Sequence, residues 1–229
     1  MTDVHTTDFD AVLFDAGGVL VLPDPTVLGP LLAPYGGDPS IAVHRRAHYA
    51  AMAAKSRAMS TETDWDMYDV TYVETVGVRS ELVDHAAEVL NHTRTAHLWR
   101  WPIPETLTAL GAFADRRVPM GVVSNASGQV EAMLAIAGVC QVGAGRGVPV
   151  RVVVDSHVVG VAKPDPGIFE HALEHFREFE PARIAYVGDS VTMDVAGAAA
   201  AGLTPVLLDP YDDHPGTDFA RVRSVLALV

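Results

Sequence analysis

Cysteine is almost missing from this chain: Cys140 is the only one among 229 residues. A lone cysteine forms no internal disulfide, which fits a reducing compartment, and a cytoplasmic location is expected. Basic residues are also scarce. Sixteen Lys and Arg stand against 29 Asp and Glu, for a formal net charge of -13. Such a surface repels phosphate backbones and anionic lipid, so neither nucleic acid nor a membrane is expected as a partner. An anionic substrate would need a local Lys, Arg or metal to overcome that field. No run reaches about 18 apolar residues, which excludes an apolar membrane-spanning helix. The opening MTDVHTTDFD has neither a basic n-region nor an apolar h-region and does not read as a signal peptide. There is no internal repeat. What is present is a globular composition, 49% hydrophobic and 20% charged. The length suits one α/β domain, or a core of about 150 residues with a smaller insert.

Residues 11–14 (AVLF) form a short apolar run of the kind buried on both faces of a parallel sheet. Pro23 and Pro25 break the chain. From about 26 to 95 the spacing turns helical: Trp65, Tyr68, Tyr72, Val73 and Val76, then Leu82, Ala86, Val89 and Leu90, recur at three and four. The α/β rhythm then returns. A helix is expected from Pro104 to about Arg116, a strand over 118–123 ending at Ser124, and a helix capped by Ser127 and closed by Gly138. A Gly-rich loop (141–149), a strand (152–154) and a helix from Asp165-Pro166 to about Phe179 come next. Then come a strand over 184–187 ending at Gly188-Asp189, a helix over 194–201, and a last core strand at 206–208. Strands alternating with helices imply a parallel sheet with right-handed crossovers.

Asp15, Ser124 and Asp189 each follow a buried strand directly. In an open parallel sheet the carboxyl ends of the strands border the ligand crevice, so the three converge if their strands are neighbours. Lys163, in the loop "VAKPDP", can reach the same place. Carboxylates and a lysine around a serine and backbone amides describe a site for Mg²⁺ and phosphate.

Four stretches, "FDAGGVL" (14–20), "VVSNAS" (122–127), "VGVAKPDP" (159–166) and "YVGDSVTMD" (186–194), stand in the order and at the separations of the haloacid dehalogenase (HAD) superfamily. The chain resembles a member of that superfamily, with a helical cap of the type inserted just after the first motif. The resemblance implies an α/β fold with a Rossmann-like parallel core (1–21 and 98–229) and an all-helical cap (22–97). It implies a hydrolase, a phosphatase of small phosphorylated metabolites, as a monomer or homodimer. Asp15 would be the nucleophile, forming an aspartyl-phosphate, with its other oxygen on Mg²⁺. The carbonyl of Gly17 and the carboxylate of Asp189 would be metal ligands, with Asp194 direct or through water. Ser124 would bind phosphoryl oxygens, helped by amides near Gly18 and Asn125. Lys163 would hold Asp15 and the phosphoryl group together.

The sequence departs from the pattern at position 17. Most phosphatases of the superfamily carry there an Asp that protonates the leaving oxygen and later activates water, help typically worth about 10²–10⁴ in rate. Here it is Gly17. Three readings stay open: a phosphatase in which Asp24 or a cap histidine moves the proton or the leaving group needs none, a 2-haloacid dehalogenase, and a non-catalytic module binding Mg²⁺ and phosphate. Phosphonate cleavage would need a Schiff-base lysine from the cap, where Lys55 is the only one. His44 and His48, and His171 and His175, are each four apart and read as surface-helix pairs. Trp65, Tyr68 and Tyr72 read as cap core, Trp99 and Trp101 as hinge packing, and Asp165 as a helix cap.

Overall fold

The computed structural model describes residues 9–229. Residues 1–8, part of the stretch read for a signal peptide, lie outside the described residues. The chain opens on β1 (Ala11–Phe14) and β2 (Val21–Pro23), then passes through α1 (Pro25–Leu32), α2 (Ile41–Arg57), α3 (Asp66–Thr75) and α4 (Val83–Thr93). It returns by β3 (Trp99–Pro102) to α5 (Pro104–Asp115), β4 (Met120–Ser124), α6 (Val130–Ile136), β5 (Cys140–Val142), β6 (Val148–Val150) and β7 (Val153–Asp155). The remainder is α7 (Ser156–Val159), α8 (Gly167–Leu173), β8 (Ile184–Gly188), a π-turn (Val191–Val195), α9 (Ala196–Ala200), β9 (Thr204–Leu208) and β10 (Ala220–Val222).

The core is a six-stranded sheet in the order β10-β9-β8-β1-β4-β7, and every pairing is parallel. This is the expected Rossmann-type α/β architecture. Alternation sorts the strand residues between two faces. Val12, Phe14, Val122, Ala185 and Val187 pack on one side, with Leu110 and Phe113 of α5. Ala11, Leu13, Val123, Ile184 and Tyr186 pack on the other, with Ile168 and Phe169 of α8. Because β1 has β4 on one side and β8 on the other, the chain reverses its winding beside β1, and the crevice opens there. Among the described residues, no helix is long and apolar enough to cross a membrane.

Residues 25–98 are all helical and carry their own core of Leu28, Leu32, Ala51, Tyr68, Tyr72, Val73 and Leu90. Tyr68 and Tyr72 are buried in this core as expected, and Trp65, read with them, packs against it only partly buried. The strands β2 and β3 pair antiparallel at the two crossings into this layer, with Leu22 opposite Trp101. The layer is seated on the core by Arg45 on Glu105 (2.9 Å) and by Arg46, which forks onto Asp213 (2.7 and 2.8 Å).

Several expectations are corrected. His44 and His48 are not on a surface helix: both are buried, because α2 lies between α3 and the core. Val206–Leu208 is not the last core strand, since β10 adds a further edge. The helix begun at Asp165-Pro166 ends at Leu173, where the chain tightens so that Phe176 enters the core. Ser127 does not cap α6. The Asp155 carboxylate at the end of β7 accepts from Gly128 and Val130 N–H instead (2.8 and 3.3 Å) and also caps α7 through His157 N–H (3.0 Å).

Candidate active site

Phe14 is paired with Val122 on one side and Val187 on the other, so Asp15, Ser124 and Asp189 leave the sheet at one edge. All three are buried. The π-turn after β8 carries Asp194 back beneath that edge. Its carboxylate lies so close to the Gly188 Cα that a Cβ there would sit 2.2 Å from it, and any side chain would push the turn out. Asp15, Asp189 and Asp194 each offer a carboxylate oxygen within 4.8 Å of the others.

One ammonium serves this cluster. Lys163, 3% exposed, uses its Nζ on Asp15 Oδ1 (2.9 Å), Asp194 Oδ1 (2.6 Å) and the Tyr186 hydroxyl (2.8 Å), which employs all three protons. Asp194 is engaged at both ends, since its Oδ2 accepts from the N–H groups of Asp189 (3.1 Å) and Ser190 (2.9 Å). Both bonds to the Asp15 carboxylate, from Lys163 and from Ala16 N–H (2.8 Å), fall on Oδ1. Asp189 Oδ2 takes its contact from the helical layer, at 2.9 Å from His48 Nε2, while His48 Nδ1 meets the Tyr68 hydroxyl at 2.9 Å.

Burial pushes the Asp15 carboxyl up to about 7; Lys163 pulls it down, and Asp194 and Asp189 push it further up. Burial likewise raises Asp189 against the opposing pull of His48. Burial works against the Lys163 ammonium, but Asp15 and Asp194 hold it well above the usual lysine range. Three carboxylates against one ammonium leave the cluster short of positive charge. That shortfall, with oxygen-only donors, fits a hard divalent cation such as Mg²⁺.

Most of the residues singled out in the sequence meet here, although Gly18 does not line the cavity. Asp15, Gly17, Ser124, Asn125, Lys163, Asp189 and Asp194 line one cavity of about 380 Å³. Two are busier than expected. The Asn125 side chain clamps the Lys163 backbone, accepting its N–H (2.8 Å) and donating to its carbonyl (3.0 Å). The Gly18 N–H is spent on the Val21 carbonyl (2.8 Å), while the Gly18 carbonyl accepts from Tyr49 (2.7 Å). Gly18 has φ +71°, and a Cβ there would fall 1.8 Å from Asp189 Oδ2, so both backbone and space demand glycine.

The helical layer supplies part of the cavity wall, including Met52, Lys55, Glu62, Trp65 and Arg94. Trp99, on β3, covers Gly17: a Cβ at position 17 would lie 3.1 Å from its ring. In the sequence Glu62 carries no motif, Trp99 reads only as hinge packing, and Tyr186, inside the fourth motif, has no assigned role. Asp24, a sequence candidate for proton transfer, accepts from Thr26 N–H (2.9 Å) at the start of α1 and from Arg100 (2.8 Å), and does not line the cavity.

Residues 9–202 match the haloacid dehalogenase-like hydrolases. The chain belongs to that family. This HAD-like hydrolase is 35% identical over 116 residues to the haloacid dehalogenase-like hydrolase domain-containing protein 3 of Bos taurus, which covers 49% of the chain and 43% of that protein. It is 38% identical over 73 residues to the pyrimidine 5'-nucleotidase YjjG of Escherichia coli K12, 32% of each. The chain thus spans less than half the length of these curated relatives. Across 94% of both chains its fold matches a HAD phosphatase from Thermococcus onnurineus, with a TM-score of 0.57 and 23% identity.

Proposed function

We propose that this hydrolase is a Mg²⁺-dependent phosphatase of small phosphorylated metabolites, working through an aspartyl-phosphate at Asp15. The observation that carries the reading is the Lys163 ammonium fixed between Asp15 and Asp194, beside a cavity that Ser124 also lines. The nucleotidase and phosphatase relatives support the same reaction class. Asp15 Oδ1 is tethered by Lys163 and Ala16, which leaves Oδ2 to attack phosphorus. Ser124 and Lys163 bind the phosphoryl oxygens, and Lys163 offsets the charge that develops there. The carboxylates of Asp15 and Asp189 and the carbonyl of Gly17 would hold the metal. Asp194, engaged on both oxygens, would act through water. When bound, Mg²⁺ supplies the missing positive charge and orients the phosphoryl oxygens. Residues 22–97 serve as the cap, which closes over the site, excludes water and selects the substrate, on a core of 1–21 and 98–229. A dehalogenase working without metal would leave three buried carboxylates repelling one another, so the phosphatase reading is favoured.

The test is turnover of p-nitrophenyl phosphate and a panel of phosphorylated metabolites, with Mg²⁺ and with EDTA. We expect Mg²⁺-dependent release of inorganic phosphate that Asp15→Asn abolishes. No turnover above that variant on any phosphate would sink the proposal. EDTA-insensitive chloride release from 2-chloropropionate would favour a dehalogenase.

A further inference from the structure

Gly17 leaves the proposed reaction without its acid, and the Trp99 ring covers the space where a side chain at 17 would begin. For a leaving group that needs a proton, another residue has to supply it. Such a group has to line the cavity, keep an uncommitted acid function, and lie on the far side of the phosphoryl group from Asp15, because the attacking and leaving oxygens stand in line. The helical layer, which gives the cavity wall Met52, Lys55, Glu62, Trp65 and Arg94, offers candidates for such a group.

His48 lines the cavity, but both ring nitrogens are engaged, with Tyr68 and with Asp189. Asp24 is turned to Thr26 and Arg100 outside it. Lys55 is buried, and its ammonium donates to the backbone carbonyls of Asp64 (2.7 Å) and Glu62 (3.2 Å) while resting 3.9 Å from the centre of the Trp65 ring. It is a buttress for the loop between α2 and α3. What that loop presents to the cavity is Glu62, which lines it together with Asp15, Asn125 and Lys163. Asn125 in turn clamps the backbone of Lys163, whose ammonium sits on Asp15. Glu62 is thus a carboxyl of the helical layer that faces the same cavity as the nucleophile.

We propose that Glu62 is the catalytic acid and base of this enzyme, taking the place of the carboxylate absent at Gly17, and that Lys55 is the positioning residue that holds its loop. This rests on the phosphatase reading above. In the first step Asp15 Oδ2 bonds to phosphorus as the P–O bond to the alcohol breaks, and the Glu62 carboxyl gives its proton to the departing oxygen. In the second, the Glu62 carboxylate takes a proton from water as that water's oxygen bonds to phosphorus. The Asp15–phosphate bond breaks, hydrogen phosphate leaves, and both carboxyls return to their starting forms. Burial raises the Glu62 carboxyl above the usual glutamate range, although Asn125, Lys163 and Lys55 pull the other way, and this favours the acid form that the first step needs.

The experiment compares wild type, Glu62→Gln and Lys55→Met on an alkyl phosphate, a poor leaving group, and on p-nitrophenyl phosphate, a good one. General acid–base loss predicts a fall of about 10²- to 10⁴-fold in steady-state turnover of E62Q on both substrates. Only p-nitrophenyl phosphate should keep a fast first turnover, seen as a burst of p-nitrophenol, with the phosphorylated protein accumulating in acid-quenched mass spectra. K55M should fall less than E62Q and show the same leaving-group pattern. E62Q turning over the alkyl phosphate at the wild-type rate would overturn the assignment. So would loss of the burst along with the alkyl activity in a folded E62Q, which marks a structural role. Wild type inactive on every phosphate would overturn the phosphatase reading itself and Glu62 with it.

Discussion

Restoring the usual carboxylate at position 17 is the obvious way to improve this enzyme, and the structure predicts that it fails. The φ of Gly17 lies outside the left-handed region, so the backbone accepts an L-residue. On conformational grounds alone Gly17→Ala would stabilise by about 0.4–1 kcal/mol, by narrowing the unfolded ensemble. The new Cβ, however, stands 3.1 and 3.2 Å from two carbons of the Trp99 ring. That ring cannot swing away freely, because His48 and Trp65 pack on it with centroids at 5.5 and 6.4 Å. Overpacking of this kind costs about 1–3 kcal/mol. Gly17→Ala should therefore lie between neutral and about 2.6 kcal/mol destabilising, the difference of the two effects. Gly17→Asp adds a fourth carboxylate beside three that share one ammonium and should be worse. For a chain of this size 1 kcal/mol moves the melting temperature by about 2–4 °C, so the net effect of Gly17→Ala lowers it by no more than about 10 °C. Thermal melts of the two variants and their phosphatase rates measure both effects. A Gly17→Asp protein as stable as wild type, with a raised rate, would refute the reasoning. It would mean that Trp99 yields and that the acid's place is open.

Lys163→Met leaves the Asp15 and Asp194 carboxylates without their shared cation. It should abolish phosphate release and cost about 3–5 kcal/mol in urea unfolding, the usual penalty for breaking a buried pair. Asp24→Ala removes the cap of α1 and the partner of Arg100, for about 0.5–2 kcal/mol at neutral pH. Although burial pushes the Asp24 carboxyl up, the Thr26 hydroxyl and amide and the Arg100 guanidinium hold it below the usual value. Its contribution is therefore present above the unfolded value of 3.8 and lost as pH falls through the lower folded one. Urea melts from pH 7 down to 3 should show the gap between wild type and variant closing in acid. Burial pushes the Cys140 thiol up to about 12, so the folded protein should not react with a disulfide reagent at pH 8, whereas the unfolded chain should. Rapid labelling of the native protein would contradict that.

The sheet and the site edge were legible in the sequence for a local reason. A strand buried on both faces writes itself as a short apolar run, and the polar residue that ends it must lie at the rim. Asp15, Ser124 and Asp189 follow such runs, and their strands prove to be neighbours. The burial of His44 and His48 was not legible. A helix packed on two sides loses the one-sided pattern by which an amphipathic surface helix is recognised. Ser127 misled because a capping residue need not be near in sequence: Asp155, from another strand, does that work.

By itself, then, the sequence determined which groups can bind metal, attack phosphorus and balance charge, because those demands are met by residue type at strand ends. It also showed that position 17 has no acid. Only the tertiary structure decided why that position stays bare and which carboxyl faces the cavity in its stead. Trp99 arrives over Gly17 from the far side of the helical insert, and Glu62 reaches the cavity from a loop that a buried lysine holds. Both depend on how a layer packs across a cavity, and that packing leaves no periodic mark in the chain.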